Sequence, residues 1–180
     1  MIKNHFYPPF SCVCQKIFVS LRPKTSKAQL TPMLLPSKEL DKPLHESLVN
    51  YTYDLVGMVM SVCKQLPCGL PEYVYQEAFA KTLMAAGIDP HKEWQYHPLF
   101  NGEPMNAYLK PDFMVERERG NIIIECKALE FLTKKERQQL FGYLVGTGFP
   151  IGLLVNFATY PHPTIERYYF DKKDMTLTAF

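Results

Sequence analysis

At 180 residues, 47% hydrophobic and 21% charged, the chain is long enough to close one hydrophobic core without staples. No apolar run approaches the ~20 residues of a spanning helix. Pro8, Pro9 and Lys16 interrupt any leader-like core near the start, so a cytoplasmic protein with no membrane partner is expected. The charge divides unevenly: residues 1–44 carry seven Lys/Arg against two Asp/Glu, and 45–180 carry thirteen against sixteen. A region with a net charge of −3 lacks the broad positive field of a protein that grips polyanions by charge alone. Any hold on nucleic acid then has to come from a local patch or from metal ions.

Residues 1–44 show no sustained periodicity and are broken by prolines at 8, 9, 23, 32, 36 and 43, which predicts an irregular or disordered extension; Met33 leaves a second start open. The five cysteines (Cys12, Cys14, Cys63, Cys68, Cys126) are odd in number and form no Cys-x-x-Cys pair, so free thiols are expected. From His45, apolar residues at Leu48, Tyr51, Leu55, Met58, Val59, Val62 and Leu66 recur at helical spacing and predict one helix ending at Pro67-Cys68-Gly69. A second helix is predicted from Pro71 through Tyr75, Phe79 and Leu83 to Gly87.

Trp94, Tyr96 and Pro98-Leu99-Phe100 read as a strand leading into Asn101-Gly102, a strong hairpin signal. Leu109 to Val115 continues or replaces its partner, and the polar run 116–121 makes a turn into the strand Ile122–Ala128. Thr133-Lys134-Lys135-Glu136 is a capping box opening a third helix through Leu140 and Leu144. Ile151–Phe157 is a buried strand, Ile165–Phe170 another, and Asp171–Asp174 a turn. The order predicts a mixed α/β sheet flanked by helices, in a single domain over 45–180.

Strand alternation puts Glu125 and Lys127 on one face and Cys126 on the other. If the segment ending in Pro111-Asp112 pairs with this strand, Asp112 comes near Glu125. Two adjacent carboxylates repel unless a cation lies between them, and a hard divalent ion with oxygen ligands resolves that conflict. Such an ion activates water and offsets charge on a phosphate, and Lys127 could assist. The simpler alternative is a cross-strand salt bridge on a wet face. Glu72 stands in the first turn of its helix, where the dipole favours a carboxylate. Gln139 and Tyr143 are four apart and share a helix face. Lys134, Lys135 and Arg137 form either a solvated helix face or a phosphate-neutralising patch. Tyr51, Tyr53, Tyr73 and Tyr75 fit core packing, or an interaction surface such as a homodimer's.

In combination these residues resemble a known family. Gly69-Leu70-Pro71-Glu72-Tyr73-Val74-Tyr75 is similar to the Gly-x-x-Glu-x-x-Tyr signature of the GxxExxY proteins, a branch of the PD-(D/E)xK nuclease superfamily. Gly87-Ile88, Pro111-Asp112-Phe113, Glu125-Cys126-Lys127-Ala128, Gln139 to Tyr143 and Gly152–Phe157 follow in the same order, so the resemblance covers about 46–158. The Gln139-x-x-x-Tyr143 spacing also resembles the helix motif of RecB-like nucleases. The resemblance implies a restriction-endonuclease-like core and a nuclease using Mg²⁺ or Mn²⁺ on DNA, less readily RNA. It implies Asp112 and Glu125 as metal ligands, Glu72 completing the metal site or placing water, Lys127 as catalytic lysine, and Gln139 and Tyr143 as substrate contacts. A non-catalytic binding or scaffold domain on the same fold is the alternative.

Overall fold

The computed structural model describes residues 37–180. The extension expected up to residue 44, with Met33, Cys12 and Cys14, falls outside the described residues as far as residue 36. Helix α1 (Lys42–Tyr51) begins ahead of the expected start at His45. The Asp41 carboxylate caps it by accepting the Leu44 N–H at 2.8 Å, and Pro43 lies in the first turn. Helix α2 (Tyr53–Gln65) follows, and the single helix expected over 45–66 is interrupted at Thr52. The Thr52 hydroxyl donates back to the Leu48 carbonyl at 3.1 Å, and its φ of −104° and ψ of 1° break the regular turn. Leu48, Leu55, Val59 and Val62 are buried along the predicted stripe. Helix α3 (Glu72–Ala85) follows Pro71 and ends ahead of Gly87, whose φ of +76° closes it.

The hairpin at Asn101-Gly102 is present but short: β1 (Leu99–Phe100) pairs with β2 (Glu103–Pro104), and both turn residues have positive φ. The longer strands expected around it are not formed. Residues 92–96 pair by backbone at isolated bridges, Lys92 to Phe113 and Tyr96 to Leu109, and His91 and Glu93 take left-handed φ values that interrupt extended strand. The segment from Leu109 contributes only β3 (Phe113–Val115), since Pro111 has no N–H to offer a ladder.

Next come β4 (Ile122–Lys127), α4 (Lys134–Thr147), β5 (Ile151–Asn156), β6 (Thr164–Asp171) and β7 (Thr176–Ala179). The capping box of α4 is formed, with the Thr133 N–H donating to Glu136 Oε2 at 2.9 Å. Strand β7 was not foreseen; the turn before it carries Met175 at φ 53°. The sheet order is β3-β4-β5-β6-β7, with β4 and β5 parallel across α4 and every other pair antiparallel. This is the mixed sheet flanked by helices that the sequence predicts.

Alternation sorts the core into two layers. Ile122, Ile124 and Cys126 of β4 pack with α1–α3, while Ile123 packs with Leu140 and Leu144 of α4. Glu125 and Lys127 therefore share the α4 side. Cys63, Cys68 and Cys126 are free thiols, and no described helix is long and apolar enough to cross a membrane. Of the four tyrosines, Tyr75 is buried and stacks on Phe157, Tyr51 is half-buried, and Tyr53 and Tyr73 are exposed.

Candidate active site

The antiparallel register of β3 on β4 sets Phe113 opposite Ile124, so Asp112 falls opposite Glu125. Their approach is fixed by backbone: the Cys126 N–H donates to Asp112 Oδ2 at 2.8 Å. Lys127 Nζ donates to Glu125 Oε1 at 2.6 Å. Glu125 is only 2% exposed, and its other oxygen, Oε2, is buried with no hydrogen-bond partner. A native protein rarely leaves such an atom unsatisfied, because it forgoes water and gains nothing.

The electrostatics follow from burial and repulsion. Burial, then the Asp112 charge, pushes the Glu125 carboxyl up to about 7 against the pull of Lys127. Burial also raises Asp112, although the Cys126 N–H and Lys127 oppose it. Burial acts to lower Lys127, yet Glu125, Glu72 and Asp112 outweigh it and raise the ammonium above its ordinary value. The carboxylates around Lys127 thus favour its charged form.

Glu72 heads α3 within reach of this set. Burial raises its carboxyl, while Lys127 and the Ala128 N–H hold it down. Gln76 Nε2 donates to Glu72 Oε1 at 3.2 Å. Among the described residues, no group of three or more His, Cys, Asp or Glu is drawn together closely enough to hold a metal by itself. From α4, Gln139 Nε2 donates to the Tyr143 hydroxyl at 3.0 Å, which donates to the Lys110 carbonyl at 3.2 Å. Tyr143 is raised by burial and by the charges of Glu125 and Asp112, so it borders the acidic pair. The structure thus joins Asp112, Glu125 and Lys127 directly, and brings Glu72, Tyr143 and, through Tyr143, Gln139 alongside. Arg137 is not free for phosphate, because Glu166 occupies its guanidinium through two hydrogen bonds.

Two oxygen donors with upward-shifted pKa values and one unpaired buried oxygen fit a hard divalent cation, whose charge would offset both shifts. Among these side chains, Asp112 and Glu125 carry the oxygens that could hold such an ion. Asn156 was not assigned a role from sequence. Its side-chain amide brackets the backbone of Leu129, just beyond Lys127. The signal was present as a polar residue ending the apolar run 151–155.

A mixed sheet whose antiparallel pair ends in an aspartate and a Glu-x-Lys strand, with a helix crossing beside them, defines a nuclease-type core. The family model of the PD-(D/E)XK nuclease superfamily matches residues 49–168, and the chain belongs to that superfamily. No curated protein and no solved structure matches it.

Proposed function

We propose that the protein is a divalent-metal-dependent nuclease of the GxxExxY branch, hydrolysing phosphodiester bonds of DNA and, less readily, RNA. One observation carries this reading: Asp112 and Glu125 are held together with Glu125 Oε2 buried and unpaired, beside a lysine kept charged. Mg²⁺ or Mn²⁺, when bound there, would supply a Lewis acid and lower the pKa of water. Asp112 and Glu125 would hold it, and the Cys126 N–H and Lys127 orient their carboxylates. Lys127 Nζ offsets charge gathering on the phosphate. Glu72 places a carboxylate at the edge of the site, where it could accept a proton from water. Tyr143 and Gln139 offer hydroxyl and amide groups to the substrate backbone.

The test is incubation of the pure protein with supercoiled, linear and single-stranded DNA in Mg²⁺ or Mn²⁺. Cutting should vanish in EDTA and in Lys127→Ala. Cutting indifferent to both would overturn the mechanism. Calorimetry that finds no Mn²⁺ binding dependent on Asp112 and Glu125 would favour the non-catalytic scaffold.

A further inference from the structure

The chain leaves β4 directly after Lys127 and reaches α4 through residues 128–133. This loop is not slack. Fully buried Asn156 donates from Nδ2 to the Leu129 carbonyl at 2.7 Å and accepts the Leu129 N–H at 2.9 Å. The Phe157 N–H donates to the Lys127 carbonyl at 2.8 Å, and the Thr133–Glu136 capping box ties the far end. A loop pinned at both ends nevertheless leaves Phe131 64% exposed and Leu129 37% exposed. Lys134 and Lys135 stand exposed just beyond it. Phe131, Leu129 and the two lysines form one exposed apolar and cationic edge next to the end of β4.

We propose that this loop is the strand-binding rim of the site: Phe131 stacks on an unpaired base, and Lys134 and Lys135 neutralise the flanking phosphates. The substrate is then a single-stranded segment. The proposal rests on the phosphodiester-cleaving reading and names its substrate class. Charge argues for a single strand over a duplex. Duplex binding draws its affinity from many phosphate contacts, whereas residues 45–180 carry thirteen Lys/Arg against sixteen Asp/Glu. Stacking on an aromatic platform adds affinity that does not come from cations and tolerates any base, and Lys134 and Lys135 supply charge beside it. Geometry agrees, because the rim adjoins the strand that carries Glu125 and Lys127. The Ala128 N–H also faces Glu72, which brings the first turn of α3, with exposed Tyr73, against the same loop.

The experiment is fluorescence anisotropy of the full chain with a labelled oligothymidylate and with a duplex of equal length, in EDTA so that nothing is cut. The single strand should bind about tenfold more tightly than the duplex, and Phe131→Ala should lose about tenfold of that affinity while Phe131→Trp keeps it. Lys134→Ala and Lys135→Ala should each flatten the salt dependence by about 0.7 in log–log slope. Equal binding of both forms, or a silent Phe131→Ala in a protein that melts normally, overturns the proposal. The two readings fail differently. Strand preference that depends on Phe131, without metal-dependent cutting, sinks only the nuclease. Cutting of duplex and single strand alike, with Phe131→Ala silent, sinks only the rim.

Discussion

Two glutamates lie in one row across the sheet: Glu125 on β4 and Glu166 on β6 both pair with Leu154 of β5. Their surroundings differ completely. Glu166 accepts from Arg137 Nε at 2.8 Å and Nη2 at 2.5 Å, and from the Tyr168 hydroxyl at 2.6 Å. Burial works against its charge, yet these donors outweigh burial and hold its carboxyl below the ordinary value. Glu125 has one lysine and the Asp112 N–H to hold its charge, against burial, the Asp112 carboxylate across from it and an oxygen, Oε2, with no partner, and is pushed up to about 7. An ion cluster that serves structure satisfies its acid from within the chain. Glu125 is left incomplete, and an acid left so is a candidate for completion by something outside the chain.

The sharpest way to break this contrast is Asp112→Asn. Cutting should fall about a thousandfold or more. Stability should hold or rise, because the repulsion at Glu125 is removed while an oxygen remains for the Cys126 N–H. A coincident loss of Tm would mean that the pair is structural.

The next effect is on pH. Glu125 has its folded pKa raised from 4.5 to about 7, so between those values the folded protein binds more protons than the unfolded chain. Its contribution to stability is therefore present at low pH and lost as pH rises through about 7, by up to about 3 kcal/mol. Asp112 and Glu72 are raised too and act in the same direction. Thermal melts of the metal-free protein should show this decline, and Glu125→Gln should flatten it. Added Mn²⁺ should stabilise more at about pH 8 than at about pH 5.5, because the ligands must be ionised. A pH-independent metal effect would count against Glu125 as a ligand.

Arg137→Met should behave oppositely to Asp112→Asn. It strands Glu166 with only Tyr168, and since the two side chains are 35% and 21% exposed, water limits the cost to about 1–2 kcal/mol. Denaturant melts should register that loss, while cutting per folded molecule stays intact. Gly146→Ala should be milder still, at about 1 kcal/mol, because its new methyl meets the flexible end of Leu109. A rise in KM with little change in kcat would show that the Tyr143–Lys110 contact beside it matters to substrate alone.

Local signals carried most of the fold into the sequence. The capping box at Thr133, the Asn101-Gly102 turn and the apolar stripe through Leu55, Val59 and Val62 each depend on near neighbours, and each formed. The placement of Asp112 across from Glu125 was legible because register follows from a turn between two apolar segments. Features decided by distant partners were hidden. Thr52 looks like an ordinary helix residue until its hydroxyl turns back on Leu48. Arg137 looks like a free cation until β6 delivers Glu166. Strand β7 is only four residues and forms because β6 offers an edge.

The parallel pairing of β4 with β5 also governs when the site can exist during synthesis. Ile122, Ile123 and Ile124 have only the short β3 beside them until β5 arrives, one helix later. Asn156, which fixes the loop beyond Lys127, is the last residue of that strand. A nascent chain released before residue 156 would carry Asp112, Glu125 and Lys127 without the residue that ties down the loop beyond them. The sheet's connectivity thus separates the pairing of Asp112 with Glu125, available once β4 is made, from the fixing of the loop beyond Lys127, which waits for β5.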